Sequence, residues 1–172
     1  VHAVREDPVR KGLLFAGTET GIYVSFDDGA HWQPLQLNLP NSPVHDMAIH
    51  NGDLIAATHG RAFWILDDIS PLRQMDATIA SSNVHLFTPA TAMRSRMGHY
   101  GRRRAAIGEN PADGALLYYF LKEEPKETAK LEILDSAGKV VRTYTSEAKK
   151  KDEDDKEEDD EKDDSFDHIP AK

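Results

Sequence analysis

The stretch LLFAGTETGIYVSFDD, residues 13–28, decides the fold, because a related stretch, DLIAATHGRAFWILDD, follows 40 residues later at 53–68. The second leucine, the alanine, the first threonine and both aspartates of the first stretch recur in the second at this offset. Residues 1–4 match residues 44–47 at an offset of 43, so the first copy holds three extra residues in the loop at 7–12. A period near 40 residues is typical of repeat architectures.

Both copies contain short β-rich runs bounded by Gly, Pro, Asn or Asp, and such runs predict strands. The predicted strands are 1–4, 13–16, 22–26 and 32–35 in the first copy, and 44–50, 54–58, 62–66 and a weaker 72–75 in the second. Residues 1–76 show no helical periodicity. Four antiparallel strands per roughly 40 residues are typical of a β-propeller blade. The predicted fold class is therefore all-β, with two blades in 1–76. A β-sandwich and an up-and-down barrel are the alternatives, but neither requires a repeating sequence.

Residues 25–32, SFDDGAHW, sharpen this prediction. They resemble the Asp-box, or BNR repeat, of sialidases, sortilin-type receptors and xyloglucanase-like propellers, whose pattern is Ser-x-Asp-x-Gly-x-Thr-Trp. Ser25, Asp27, Gly29 and Trp32 match the pattern, and His31 replaces its threonine. We expect a hairpin turn in which Asp27 accepts hydrogen bonds from turn N–H groups, Gly29 supplies a positive φ and Trp32 is buried between blades. The second copy keeps two aspartates at 67–68 but continues Ile-Ser-Pro, so its turn is degenerate.

The resemblance also implies the roles of these residues and the place of a ligand. In such propellers the Asp-box has a folding role on the face opposite the substrate pocket, and the channel mouth is lined by the turns between second and third strands and by the segments entering each blade. Here those segments are 18–21, 58–61 and 38–43. The ionisable side chains of the two turns are Glu19, His59 and Arg61, and these are the predicted ligand-binding residues. The alternative is that all three are solvated turn residues or members of a hydrogen-bond network between blades.

The second half of the sequence changes character after the repeats. Residues 77–113 are predicted to be a linker with an arginine cluster at 94–104, whose arginines we expect to pair with acidic surface rather than with phosphate. Residues 114–172 carry predicted strands at 116–121, 129–135 and 140–145, with a tight turn at 136–139. This pattern looks like the start of an immunoglobulin-like module, similar to accessory sandwiches of exported bacterial propellers. Three strands are fewer than the roughly seven of a closed sandwich, so the predicted domain is partial.

Charge and composition exclude several classes of function. The chain has a net charge of −9, and residues 147–164 hold 12 acidic and 5 basic residues, so this tract contributes −7 and the rest only −2. Residues 149–164 contain no apolar residue, so the tract at 147–164 is predicted to be a disordered insertion. The acidic balance argues against nucleic-acid binding, and no apolar run approaches the ~20 residues of a membrane helix. The chain has no cysteine, and its 8 histidines show no paired metal-ligand spacing, so neither a metal site nor a cofactor is predicted.

The resemblance covers most of residues 1–146 and implies the C-terminal part of a larger exported protein, periplasmic, secreted or at the cell surface. The opening Val-His-Ala-Val fits the start of a strand in such a longer protein. The first hypothesis is a sortilin-like scaffold that binds a protein or glycan ligand at its channel face. The alternative is a glycoside hydrolase of the sialidase or xyloglucanase type. Its catalytic residues would lie outside this sequence, because two carboxylates roughly 5–9.5 Å apart are needed and nothing places a second one opposite Glu19. The third hypothesis is a purely structural role at the cell surface.

Overall fold

The computed structural model describes residues 1–92, 114–125 and 128–146. The chain divides into two compact units, Val1–Phe120 and Leu121–Lys172. The predicted arginine cluster at 94–104 and the predicted acidic insertion at 147–164 lie outside the described residues. No helix in the described ranges is long and apolar enough to cross a membrane.

The first copy of the repeat forms a four-stranded antiparallel sheet, called sheet 1. Its strands pair in chain order and are β1 (Ala3–Glu6), β2 (Leu14–Gly17), β3 (Ile22–Ser25) and β4 (Gln33–Pro34). Phe15 and Val24 are paired across β2 and β3, and directly paired residues point to the same face of a sheet. Both side chains are almost fully buried. The four strands predicted for this copy are confirmed, with ends shifted by one to two residues.

The second copy forms a three-stranded antiparallel sheet, called sheet 2. Its strands are β5 (Val44–His50), β6 (Asp53–Thr58) and β7 (Phe63–Leu66). A two-residue turn joins β5 to β6, and both Asn51 and Gly52 have positive φ, at 53° and 94°. Asn-Gly is the sequence that this hairpin turn favours, because it tolerates two left-handed residues.

The predicted fourth strand of the second copy, residues 72–75, is wrong. Residues Ser70–Gln74 form helix α1 instead, a helix of 5 residues in a stretch whose sequence shows no helical periodicity. The physical reason is Pro71, which has no N–H to donate to a neighbouring strand and is well placed in the first turn of a helix. A second short helix, α2 (Ala77–Ser81), begins after Asp76, whose side chain accepts a hydrogen bond from the Ile79 N–H at 2.7 Å.

Two arginines fasten α1 to the loop at 7–12. The Asp7 side chain is fully buried and receives hydrogen bonds from the Arg73 guanidinium, the shortest at 2.7 Å. Arg10 contacts the end of α1, where its guanidinium donates to the carbonyl oxygens of Leu72, Arg73 and Met75. The three extra residues that the sequence places in this loop therefore belong to a segment that holds α1 in place.

The hydrophobic core lies between sheet 1 and sheet 2. Each sheet contributes one face, and loop and helix residues close the edges. The fully buried apolar side chains include Leu13, Phe15, Val44, Leu54 and Ile69. Burying apolar surface is the main favourable term in folding, so the contact between the two repeats is central to the stability of this unit.

The strand register defines which residues of the two sheets are equivalent. In sheet 1 Ala16 pairs with Tyr23, and in sheet 2 the matching Ala56 pairs with Trp64. Residues 18–21 connect the last β2–β3 pair, Gly17 with Ile22, and residues 58–62 connect the last β6–β7 pair, Ala57 with Phe63. The second connection is therefore one residue longer. Tyr23 therefore corresponds to Trp64, and not to Phe63 as the ungapped offset of 40 residues indicates.

The remaining strands form two smaller sheets. Strand β8 (Val84–Leu86) lies within the predicted linker and pairs with β9 (Tyr119–Leu121), which begins three residues after the predicted start at 116. Strands β10 (Lys130–Leu134) and β11 (Val140–Thr145) form the predicted antiparallel hairpin. Its turn is fixed by Asp135, whose Oδ1 accepts from the N–H groups of Ala137 and Lys139 at 2.9 Å each. The described residues are thus mostly β, in small sheets that close no barrel.

Candidate binding site

Three segments that the sequence predicts at a channel mouth meet at one end of the two sheets. The N–H of Val44 donates to the Thr18 carbonyl oxygen at 2.8 Å, which joins the first turn to the start of β5. The N–H of His59 donates to the Pro43 carbonyl oxygen at 2.8 Å, and the Ser42 hydroxyl donates to the His59 carbonyl oxygen at 3.1 Å. These bonds tie the second turn to the segment that enters sheet 2.

Three imidazoles stack in a row at this end, and we call them the histidine row. The ring centroids of His2 and His45 are 4.7 Å apart with planes at 29°, and those of His45 and His59 are 5.2 Å apart with planes at 23°. Glu19 lies at the first end of the row, where its Oε1 is 2.8 Å from Nε2 of His2. The row therefore carries side chains from both repeats.

The strands explain why the imidazoles stack. His2 precedes β1 and His45 is the second residue of β5, and the two hold equivalent places in the repeat. Arg5 fastens β1 to β5, because its Nε donates to the Met47 carbonyl oxygen at 2.9 Å and its guanidinium forms an ion pair with Asp46. Neighbouring strands held in this way bring equivalent side chains side by side.

The structure brings two of the three predicted ligand-binding residues into this cluster. Glu19 and His59 lie at its opposite ends, joined through His2 and His45. Arg61 is exposed, and its carbonyl oxygen accepts a hydrogen bond from Nε1 of Trp64 at 3.0 Å. The sequence prediction missed His2 and His45. The signal for them was the match of Val1-His2 with Val44-His45 in the repeat.

The arrangement suits hydrogen bonding rather than metal binding. Among the described residues no group of three His, Asp or Glu side chains is placed to hold a metal ion. Nearly parallel stacked rings direct their nitrogens alongside each other, whereas a metal needs ligand atoms that converge on one point. A neutral imidazole has one donor and one acceptor nitrogen, and a carboxylate accepts, so the row offers mixed hydrogen-bonding groups to a ligand. The Glu19 side chain is 70% exposed and available for such contacts.

The predicted Asp-box turn lies at the opposite end of sheet 1, where β3 ends at Ser25. The buried Ser25 hydroxyl donates to Asp27 Oδ1 at 2.8 Å and accepts from the Gly29 N–H at 2.9 Å. Gly29 has a φ of 87°. His31, which replaces the usual threonine, donates its backbone N–H to Asp27 Oδ1 at 2.8 Å and places its Nδ1 2.6 Å from Oδ2.

These contacts set the acidity of Asp27. The backbone N–H of His31, the His31 ring and the Ser25 hydroxyl all stabilise the charged carboxylate, and they lower the pKa of Asp27 from 3.8 to about 2. The network lies within one turn and ties its members to each other. Asp27 thus accepts a turn N–H and Gly29 has a positive φ, as the sequence predicts for these two residues.

Trp32, the last residue of the motif, is 39% exposed. The sequence predicts a ring buried between blades, but the ring lies on the face of sheet 1 that points away from sheet 2. It lines a groove there with Val4 and Tyr23, among others. No described strand of the Val1–Phe120 unit covers this face.

Comparisons of the chain with protein-family models, curated proteins and solved structures found no match.

Proposed function

We propose that sheets 1 and 2 are consecutive blades of an Asp-box β-propeller, and that the chain belongs to an exported, sortilin-like binding protein of the BNR-repeat group. The support is the repeat of about 40 residues together with the sequential antiparallel order of β1 to β4. The hydrogen bonds of Ser25, Asp27 and Gly29 add the turn that the motif describes. The β10–β11 hairpin supplies two strands of the proposed immunoglobulin-like module.

We place the ligand at the histidine row. The observation that carries this proposal is that the predicted turn residues Glu19 and His59, from different repeats, join one cluster through His2 and His45. A site shared by two repeats exists only when both are folded and packed. This makes it a property of the assembled sheets and not of either turn alone.

The chemistry of the row favours a ligand rich in hydroxyl or amide groups. Imidazole and carboxylate groups donate to and accept from hydroxyls, and a glycan or a polar protein loop presents such groups. Glycans are the more suitable class, because each sugar carries several neighbouring hydroxyls that both donate and accept hydrogen bonds. The described contacts pair Glu19 with an imidazole, and this pairing suits a role for Glu19 as a hydrogen-bonding group toward a ligand.

A glycan array probed with the labelled 172-residue chain tests this function. We expect the wild-type chain to bind a defined set of glycans on the array and His45→Ala to bind the same glycans about tenfold more weakly. The loss of one contact worth about 1.4 kcal/mol lowers the affinity about tenfold. His50→Ala is the matched control, because His50 is an exposed histidine at the other end of the same strand.

Two results would refute the proposal. Equal glycan binding by the wild-type chain and His45→Ala would remove the histidine row from the site. A wild-type chain that retains no glycan, while its circular dichroism shows a folded β protein, would exclude glycans as the ligand.

A further inference from the structure

The contact between sheets 1 and 2 uses two different faces of the repeat. Sheet 1 presents the face that carries Ile22 and Val24, which are 6% and 3% exposed. Sheet 2 presents the face of Leu54 and Trp64. Through the register equivalence of Tyr23 with Trp64, this second face corresponds to the other side of sheet 1. The contact is therefore head to tail, with unlike faces meeting.

Each sheet consequently keeps one face that no other described strand covers, called its free face, and the free face of sheet 2 is apolar. Phe63 is 74% exposed and Ile65 is 58% exposed. By the strand register, Phe63 corresponds to Ile22 and Ile65 to Val24. The same positions of the repeat are thus buried under a neighbouring sheet in the first copy and uncovered in the second.

The free face of sheet 1 is the counterpart. Val4 is 46% exposed and corresponds in the repeat to Met47, which is 3% exposed in the core. Val4 and Trp32 line a groove on this face whose other side chains are also uncharged: Val1, Ala16, Thr18, Thr20 and Tyr23. Contiguous apolar surface of this kind on a folded protein usually marks an interaction site.

We propose that a second copy of this chain docks head to tail on these faces, so that Phe63 and Ile65 of one copy pack into the Val4–Trp32 groove of the next. The occupant follows from continuity with the interface inside the chain. The two free faces are the two halves of the sheet 1 to sheet 2 contact, so a sheet of the same repeat fits either half, and a second copy brings both. In this inference further copies supply the blades that flank sheets 1 and 2 in the proposed propeller. Unlike faces make a heterologous contact, which leads to rings or open chains and not to a closed twofold dimer. This inference does not depend on the ligand of the histidine row.

Sedimentation velocity of the 172-residue chain across a wide range of concentration tests the proposal. We expect the weight-average sedimentation coefficient of the wild-type chain to rise with concentration. Phe63→Asp removes the sheet 2 half and Val4→Asp removes the sheet 1 half, and each variant alone should stay monomeric. Val9→Asp is the control, because Val9 is 71% exposed but lies on the loop at 7–12 and on neither face.

An equimolar mixture of Phe63→Asp and Val4→Asp gives the sharpest result. Each variant keeps the half that the other lacks, so the mixture should form a dimer and nothing larger. A circular dichroism melt equal to that of Val9→Asp establishes that both variants are folded. A wild-type chain that is monomeric at all concentrations would overturn the proposal. So would association that either variant leaves intact, or a mixture of folded variants that stays monomeric.

Discussion

Replacing Asp7 by alanine tests how the loop at 7–12 is joined to α1. The Asp7 carboxylate is fully buried and accepts from the N–H of Val9 at 3.1 Å, the N–H of Arg10 at 2.6 Å and the guanidinium of Arg73. The Arg73 side chain is only 20% exposed. Asp7→Ala therefore leaves a mostly buried cation and two turn N–H groups without their acceptor.

The expected loss of stability is large. Removing one partner of a buried ion pair costs about 3–5 kcal/mol, because the other charge stays desolvated. With an m value of about 2 kcal/mol per molar urea, a loss of about 4 kcal/mol lowers the unfolding midpoint by about 2 M. Tryptophan fluorescence reports this transition, since Trp32 and Trp64 both lie in the unit that holds the pair.

The pH dependence of this loss has a definite sign. Burial alone raises the pKa of Asp7, but the hydrogen bond from Arg73, the N–H of Arg10, the charge of Arg73 and the N–H of Val9 together lower it below 3.8. A carboxyl whose pKa is lower in the folded state stabilises the protein fully above its unfolded pKa and loses this effect as the pH falls through its folded pKa. The stability difference between wild type and Asp7→Ala should therefore shrink on acidification below the ordinary carboxyl range.

Asp46→Ala is the matched control, because it breaks an ion pair whose side chains are 45% and 63% exposed. Surface pairs contribute about 0–1 kcal/mol, so its midpoint should fall far less. The double variant Asp7→Ala/Arg73→Met should recover part of the loss, because it leaves no unpaired buried charge. A midpoint shift for Asp7→Ala no larger than that for Asp46→Ala would refute the reasoning.

Three further predictions follow from single sites. In a carbon-detected NMR titration the pKa of Asp27 should be about 2 and should rise in Ser25→Ala, and a pKa near 3.8 in the wild-type chain would contradict the turn geometry. The stability that the Asp27 carboxylate contributes should be complete above pH 3.8 and should be lost as the pH falls through about 2. Gly17→Ala should lower the free energy of unfolding by about 1–3 kcal/mol and so lower the urea midpoint, because a Cβ there would lie 2.7 Å from the Val44 carbonyl oxygen. An unchanged midpoint would mean that β2 and β5 are further apart. Phe15→Ala should lower the free energy of unfolding by about 3–5 kcal/mol because Phe15 is fully buried. Phe63 is 74% exposed, so Phe63→Ala should change it by no more than about 0.5 kcal/mol at dilute concentration. Similar losses for both variants would contradict the assignment of Phe15 to the buried face and Phe63 to the exposed one.

Much of the strand order was predictable from the sequence. The β-rich run at 22–26, bounded by Gly21 and Asp27, predicts β3, and the motif at 25–32 predicts the turn that follows it. The predicted fourth strand at 72–75 is wrong because Pro71 fits the first turn of a helix and has no N–H to donate to a neighbouring strand.

The candidate site was predictable only in part. Glu19 and His59 were predicted because the resemblance to Asp-box propellers places the turns between second and third strands at the channel mouth. His2 and His45 were missed although they match in the repeat, since the stacking of their rings depends on which strands become neighbours. The equivalence of Tyr23 with Trp64 likewise depends on the pairing register, because one extra turn residue shifts it.

The central claim is that turns from both repeats meet in one histidine row, and a nuclear Overhauser spectrum of the histidine-labelled 172-residue chain tests it most directly. Ring centroids 4.7 Å and 5.2 Å apart predict cross-peaks between the ring protons of His2 and His45 and between those of His45 and His59. His50, further along β5, should show neither, and single alanine variants assign the signals. Sharp, assigned ring signals without these two cross-peaks would contradict the account.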